Sequence, residues 1–333
     1  MIIAVDATGG EYAPHEIVKG AIKAAQEYDV DIALVGSKAI LHVLAGRYLN
    51  KLNLTIIEAN QVIELHESPL KAVRSKPDSS IVVGINLVRD GVASAFVSAG
   101  NTGAVVCASL LNLGKLKGIK RPALASFLDI TPSTPTLLID AGANADCRQS
   151  HLVQFARLGN AYVKNLLDIS SPRVGLLSNG EEETKGNHLI RESYSLLKKT
   201  NLNFIGSVEG QDISKSAVDV IVTDGFTGNI VLKTIEGLGD TFRSMLRVGH
   251  VFSAAYRLQG RAVLHDLGLG SWVKRVDYRE YGGACLLGVN GNVIVAHGRS
   301  QAKAIKNAIC LAKQTVERDI CRIIREESYK QTD

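Results

Sequence analysis

The sequence predicts an α/β protein: a doubly wound three-layer α/β/α fold with a mostly parallel sheet, plus a helical extension for dimerisation. Strand-like and helix-like runs alternate along nearly all of its 333 residues, with crossovers long enough to join parallel strands. Five apolar runs also read into loops of Gly, Asn, Asp, Ser and Thr, and then into helical segments. They are IIAVDATGG from Ile2, AFVSAGNTGA from Ala95, LLIDAGANADC from Leu137, GLLSNGEEETKGN from Gly175 and DVIVTDGFTGN from Asp219. In a parallel sheet such strand ends would share one edge, so the loops are expected to converge on one mouth.

After the first strand, PHEIVKGAIKAAQEY from Pro14 has helical spacing, and Pro14 suits a first helical position. DIALVG from Asp31 is strand-like, Lys38–Leu49 helical and LTIIEAN from Leu54 strand-like. A short helix, a loop at Lys76–Ser79 and a second helix through Arg89 follow, stopped by Gly91, a suitable residue just past a helix end. Pro122, Pro132 and Pro135 bracket the strand-like ALASFLDI, and another strand follows. This places a candidate lobe boundary near 120–136 within one catalytic unit spanning 1–333. From 234 to 276 strand alternation ceases, which predicts two helices around a flexible middle. Between Arg243 and Arg275, six Lys or Arg stand against one acid, Asp266. That stretch reads as a dimerisation hairpin with a solvated basic face. The sharper alternative is peripheral membrane contact, with Leu264, Leu267, Leu269 and Trp272 inserting.

Composition narrows the function. The 46% hydrophobic and 21% charged content suits a globular protein rather than a disordered one. The longest apolar runs, such as IVVGINLV from Ile81, fall short of the ~18 residues of a spanning helix. No signal peptide is read at Met1. Five cysteines without ligand spacing suggest reduced thiols in the cytoplasm. A net charge of +5 is too weak to indicate nucleic acid by itself, and 5% aromatic residues leave few base-stacking platforms.

Glycine lets backbone N–H groups approach a ligand, and a helix N-terminus favours an anion there. The five loops therefore suggest a site for phosphate or another small anion. Lys185 could hold phosphate and neutralise an oxyanion, or merely balance Glu181, Glu182 and Glu183. Asn229 sits at an expected helix start, where its amide could donate to a carbonyl oxygen or simply make a cap. Asp6, Asp140 and Asp224 could hold Mg²⁺ or order their loops, and ordering is the expected role. No convincing metal-ligand set is read. Cys147 reads as a core thiol, and His151 and His297 as polar-loop candidates for proton transfer.

Beyond single loops, the collinear motifs IAVDATGGEYAPHEIVKGA, FVSAGNTGA, DAGANADC, HLVQFARLGN, RVGLLSNGEEETKGN, NFIGSVEG, DGFTGNIVLKTIEG, YGGACLLGVNG and AHGRSQAKAIKNAI resemble the bacterial phosphate acyltransferase family called PlsX. The likeness runs from Ile2 to about Ala312. It implies a fold similar to phosphotransacetylases and isocitrate/isopropylmalate dehydrogenases, and a homodimer. It implies reversible transfer of a long fatty acyl group from acyl carrier protein to inorganic phosphate, giving acyl phosphate for phospholipid synthesis without a cofactor. It implies a membrane glycerol-3-phosphate acyltransferase as the consumer.

Carried over, the family's active-site lysine falls on Lys185 and its asparagine on Asn229. The substrate- and phosphate-binding expectations are Asp6, Gly9, Ser98, Gly100, Asn101, Thr102, Gly103, Asp140, Gly142, Asn144, Asn187, Asp224, Gly225, Thr227 and Gly228. The SAGNTGA and DAGANAD loops are expected to supply backbone N–H groups. The opening loop departs from the family's DAMGGDHAP at Thr8 and Tyr12, so position 12 is given no role, and His15 reads as a surface or capping residue. Two rivals differ in kind. A decarboxylating dehydrogenase of the same fold would need a nicotinamide site, and no strand–GxGxxG–helix with a downstream acid is found. A membrane-associated scaffold would not need Lys185.

Overall fold

The computed structural model describes residues 1–128, 135–253 and 282–329; at 242–243 and 245–253 only the backbone is described. The strands are β1 (Ile2–Asp6), β2 (Asp31–Gly36), β3 (Leu54–Glu58), β4 (Ala95–Ser98), β5 (Ala123–Leu128), β6 (Thr136–Ile139), β7 (Val174–Leu177), β8 (Phe204–Val208), β9 (Val220–Val222), β10 (Ala284–Leu287) and β11 (Asn292–Val295). The helices are α1 (His15–Tyr28), α2 (Lys38–Leu49), α3 (Pro69–Ser75), α4 (Ser80–Arg89), α5 (Thr102–Asn112), α6 (Gln149–Leu166), α7 (His188–Leu197), α8 (Gly225–Ser253), α9 (Ala302–Glu317) and α10 (Ile320–Tyr329).

The described strands form one sheet in the order β3-β2-β1-β4-β11-β10-β5-β6-β9-β7-β8. Successive side chains of a strand point to opposite faces, and the core divides accordingly. Ile3 and Val5 of β1 join Ile17 and Ala21 of α1, Ile305 and Ile309 of α9, and Phe155 and Tyr162 of α6 on one face. Ala4 joins Phe96, Ile81 and Ile85 of α4, and Ala104 and Val105 of α5 on the other. Helices therefore cover both faces, as the alternating pattern predicts. Gly91 has φ +71 just past α4, fitting its expected place as a helix stop.

The five strand ends do not share one edge, although loops after three of them line one cleft. β1, β2, β3, β4 and β11 run parallel. β10 is antiparallel to both β11 and β5, and β5 is antiparallel to β6. β6, β9, β7 and β8 then run parallel to one another, opposite to β1. The loops after β1 and β4 thus leave one edge, and those after β6, β7 and β9 leave the other. Short connections cause the reversal, because a few residues can join only antiparallel neighbours. β10 and β11 are joined through residues 288–291, and β5 and β6 are separated by 129–135.

The proline-bracketed strand is β5, which lies between β10 and β6 in the sheet and is antiparallel to both. The expected helix after Thr234 is present as the body of α8. The rest of the expected extension, 254–276, lies outside the described residues. No helix among the described residues is long and apolar enough to cross a membrane.

Candidate active site

The loops after β1 and β4 are tied by a buried carboxylate. Asp6 is fully buried. Its Oδ1 accepts from the Thr8 and Gly9 N–H groups at 3.1 and 3.0 Å and from Thr8 Oγ1 at 3.2 Å. Its Oδ2 accepts from Ser98 Oγ at 2.6 Å, and Ser98 Oγ accepts from the Gly100 N–H at 3.0 Å. Thr8, the departure in the opening loop, shares a 2.6 Å hydrogen bond with Ser80 at the start of α4. Asn101 caps α5 by accepting from the Ala104 N–H at 3.0 Å. Its amide donates to the carbonyls of Glu64, Leu65 and Glu67, which fixes the 64–67 loop beside it.

On the opposite edge, Asp140 orders a second pair of loops. Its Oδ1 accepts from the N–H groups of Leu124, Gly142 and Ala143, and its Oδ2 from the Asn144 N–H and side-chain amide. Burial raises this carboxyl above its ordinary value, opposed by the N–H groups of Ala143, Leu124 and Gly142 and by the Asn144 amide. Asn144 also donates to the Pro122 carbonyl at 2.7 Å. Asp224 caps α8, accepting from the Thr227 N–H at 2.9 Å and its hydroxyl at 2.8 Å. A Cβ on Gly225 would lie 2.7 Å from both the N and O of Asn144, so the two loops meet backbone to backbone.

These bonds separate scaffolding from surplus chemistry. Asp6, Asp140 and Asp224 face their own loops. The N–H groups of Gly142, Ala143 and Asn144 are spent on Asp140, so these three of the DAGANAD loop are not available to a ligand. The N–H groups of Thr102 and Gly103, the first two of α5, take no partner among the described residues. The Asn229 side chain is likewise without a hydrogen bond and half-buried, with its Cγ 3.6 Å from where a Cβ on Gly142 would stand.

Both features line one cleft of about 410 Å³ between α5 and α8. Leu65, Leu124, Leu128, Leu232, Ile235 and Val295 give it a largely apolar wall, a composition suited to a small-molecule ligand with an apolar part. The cleft gathers Gly100, Asn101, Thr102, Gly103, Gly142 and Asn229, with Asp6, Gly9 and Ser98 behind the first loop and Asp140, Asn144, Asp224, Gly225, Thr227 and Gly228 behind the second.

Lys185 and Asn187 are absent from the lining. Asn187 caps α7, accepting from the Ile190 N–H at 3.0 Å. Lys185 is exposed on the loop after β7, which leaves the sheet beside β9. Its ammonium has no carboxylate partner among the described residues, since Glu183 pairs with Lys198 at 2.5 Å instead.

The sequence reading left out Lys233, Glu236 and Ser300, which also line the cleft. Lys233 and Glu236 fall four and seven residues after Asn229, spacing that places them on its helix face. Glu236 Oε2 meets His297 Nε2 at 3.1 Å, while His297 Nδ1 accepts from the Arg299 N–H at 3.1 Å. Ser300 is buried, and its hydroxyl has no hydrogen-bond partner among the described residues. The i+4 and i+7 spacing from Asn229 is the signal that could find Lys233 and Glu236, while Ser300 has none. His151 instead accepts from the Arg148 N–H at the start of α6.

A family model described as "Fatty acid synthesis protein" matches residues 1–323. A phosphate acyltransferase of Dehalococcoides mccartyi is 56% identical over 332 residues, covering 100% of this chain and 96% of that protein. One of Pelotomaculum thermopropionicum is 49% identical over 325 residues, covering 98% and 94%. Among solved structures, a phosphotransacetylase from Streptococcus pyogenes shares the fold with a TM-score of 0.61 at 17% identity, covering 95% of this chain and 94% of that one. A putative 4-hydroxythreonine-4-phosphate dehydrogenase from Salmonella typhimurium gives 0.52 at 12% identity, covering 94% and 99%.

Proposed function

The chain belongs to the phosphate acyltransferase family, and we propose that it transfers a long-chain fatty acyl group from acyl carrier protein to inorganic phosphate. The observation that carries this reading is the cleft itself. It combines unclaimed N–H groups at the α5 N-terminus and an unclaimed Asn229 amide with a wall of Leu, Ile and Val. The first group suits a small anion, the second a carbonyl, and the wall an acyl chain.

The chemistry then needs no enzyme nucleophile. A phosphate oxygen attacks the thioester carbonyl carbon, forming the new C–O bond and placing negative charge on the former carbonyl oxygen. Collapse of this tetrahedral species breaks the C–S bond, and the electron pair leaves on sulfur, which takes up the proton that hydrogen phosphate gives up as acyl phosphate and the carrier thiol form. Phosphate is held by the N–H groups of Thr102 and Gly103, and the Asn229 amide orients the carbonyl. Lys185 supplies positive charge to phosphate or the oxyanion, supported by its lack of an ion-pair partner and by its loop leaving the sheet next to β9. Asp6, Asp140 and Asp224 contribute by fixing the loops.

Both thioester and acyl phosphate are activated, so the reaction is reversible and needs no ATP or hydride. A homodimer in the cytoplasm would pass acyl phosphate to a membrane glycerol-3-phosphate acyltransferase for phosphatidic acid synthesis, with peripheral membrane contact through the 234–276 extension. The test is release of carrier thiol from long-chain acyl carrier protein, followed with a thiol reagent. Release that requires phosphate supports the reading; release at the same rate without phosphate is simple hydrolysis and contradicts it.

A further inference from the structure

We propose that the donor docks on the basic surface around the start of α6, built by Lys115, Lys120, Arg121 and Arg148 and fitted to an acidic carrier protein. This rests on the donor assignment given above. The segment KLKGIKR, 115–121, has four cations and no acid, and all four cations are exposed. Gln154 of α6 fixes its end: Oε1 accepts from the Lys120 N–H at 2.8 Å and the Arg121 N–H at 3.2 Å, and Nε2 donates to the Gly118 carbonyl at 3.0 Å. The side chains are therefore presented from a fixed backbone.

Arg148 extends the strip. It is exposed at the N-cap of α6. The charges meet at His151, whose imidazole is held below its ordinary value by burial and then by Arg121, Arg148 and Lys120. No carboxylate among the described residues pairs with Lys120, Arg121 or Arg148. A cavity of about 480 Å³ beside them adds Arg157 and Lys199 against one carboxylate, Glu327. Asp146 is the exposed acid just before Arg148. Positive potential thus outweighs negative across this face, which favours encounter with an acidic partner.

Position supports the same partner. Arg121 precedes Pro122, whose carbonyl accepts from the Asn144 amide. The surface therefore adjoins the Asp140 loop, which holds Gly142 against Asn229 at one end of the cleft. A thioester on a long flexible arm is the donor form that can dock here and react there.

The test compares two long-chain donors, acyl carrier protein and the uncharged S-acyl pantetheine. The double variant Lys120→Glu/Arg121→Glu should raise KM for acyl carrier protein by about tenfold or more, with kcat and S-acyl pantetheine kinetics unchanged. The salt dependence of kcat/KM for the carrier donor should flatten in the variant. An unchanged KM with salt dependence retained would overturn the docking surface, as would an equal loss for both donors. A wild-type protein that used S-acyl pantetheine but never acyl carrier protein would instead overturn the donor assignment, and the surface with it.

Discussion

Gly228 packs so tightly on the Asp140 carbonyl that a Cβ there would overlap its oxygen. One edge of the cleft is therefore a backbone-to-backbone joint between the β6 and β9 loops, and Asn229 is the next residue along the chain.

Gly228→Ala should break this joint. The added methyl meets backbone on one side and Thr223 Cγ2 at 3.0 Å on the other, so a cost of about 1–3 kcal/mol is expected. Gly237→Ala is the control on the same helix, because nothing lies within 4 Å of its Cβ position. It should be neutral or stabilising by about 0.5–1 kcal/mol. Urea titration of both variants checks the contrast. Equal midpoints would remove the joint from the description.

Two asparagines should behave in opposite ways. Asn229 has no hydrogen bond among the described residues to lose, so Asn229→Ala should leave Tm nearly unchanged. In the proposed role its loss lowers kcat/KM by about 10²–10³. Asn144 joins Asp140 to Pro122, so Asn144→Ala should cost about 1–3 kcal/mol of stability. Melting curves and initial rates on the same preparations decide it. Asn229→Ala with full activity would remove that residue from the mechanism.

Cys147 should be inert. Burial first, then the nearby Asp140 charge, push its thiol up to about 12, so at pH 7–8 almost none is thiolate. Iodoacetamide should neither label Cys147 in the folded protein nor inhibit it, and Cys147→Ser should keep most activity. Mass-spectrometric mapping of labelled peptides gives the answer. Rapid native-state labelling at Cys147 would contradict its placement.

Stability should fall on the acid side. Glu16 of α1 accepts from the Ala302 N–H at the start of α9 at 2.9 Å, and this bond, followed by Lys19, holds its carboxyl below the usual 4.5. A carboxyl lowered on folding adds stability above its unfolded value, and that stability is lost as pH falls through the folded value. Glu16→Gln, which keeps an amide oxygen to accept from Ala302 but loses the charge, should therefore flatten the decline of Tm below about pH 4.5 while lowering stability at pH 7 by about 0.3–1 kcal/mol. Parallel wild-type and variant slopes would show that Glu16 carries none of the effect.

The sequence was informative where local chemistry decides the outcome. The spacing of Ile17, Ala21 and Ala24 and the stop at Gly91 place α1 and the end of α4. Strand direction was not legible, because apolar periodicity is the same in either direction. The reversal arises from short connections around β5, β6, β10 and β11, which were read as motifs or unassigned strands. Within the site, Asn101, Asn144, Asn187 and Asn229 look alike in glycine-rich loops. Only the folded neighbours reveal that three are spent on caps and carbonyls. Glu236 and His297 lie 61 residues apart and meet only through folding.

The central claim is that phosphate itself attacks the thioester. The direct measurement is to incubate the protein with long-chain acyl carrier protein and phosphate, then trap acyl phosphate as its hydroxamate with hydroxylamine. The prediction is hydroxamate that requires both phosphate and protein and falls sharply with Lys185→Ala or Asn229→Ala in folded variants. No hydroxamate above background, or the same yield without phosphate, would contradict it.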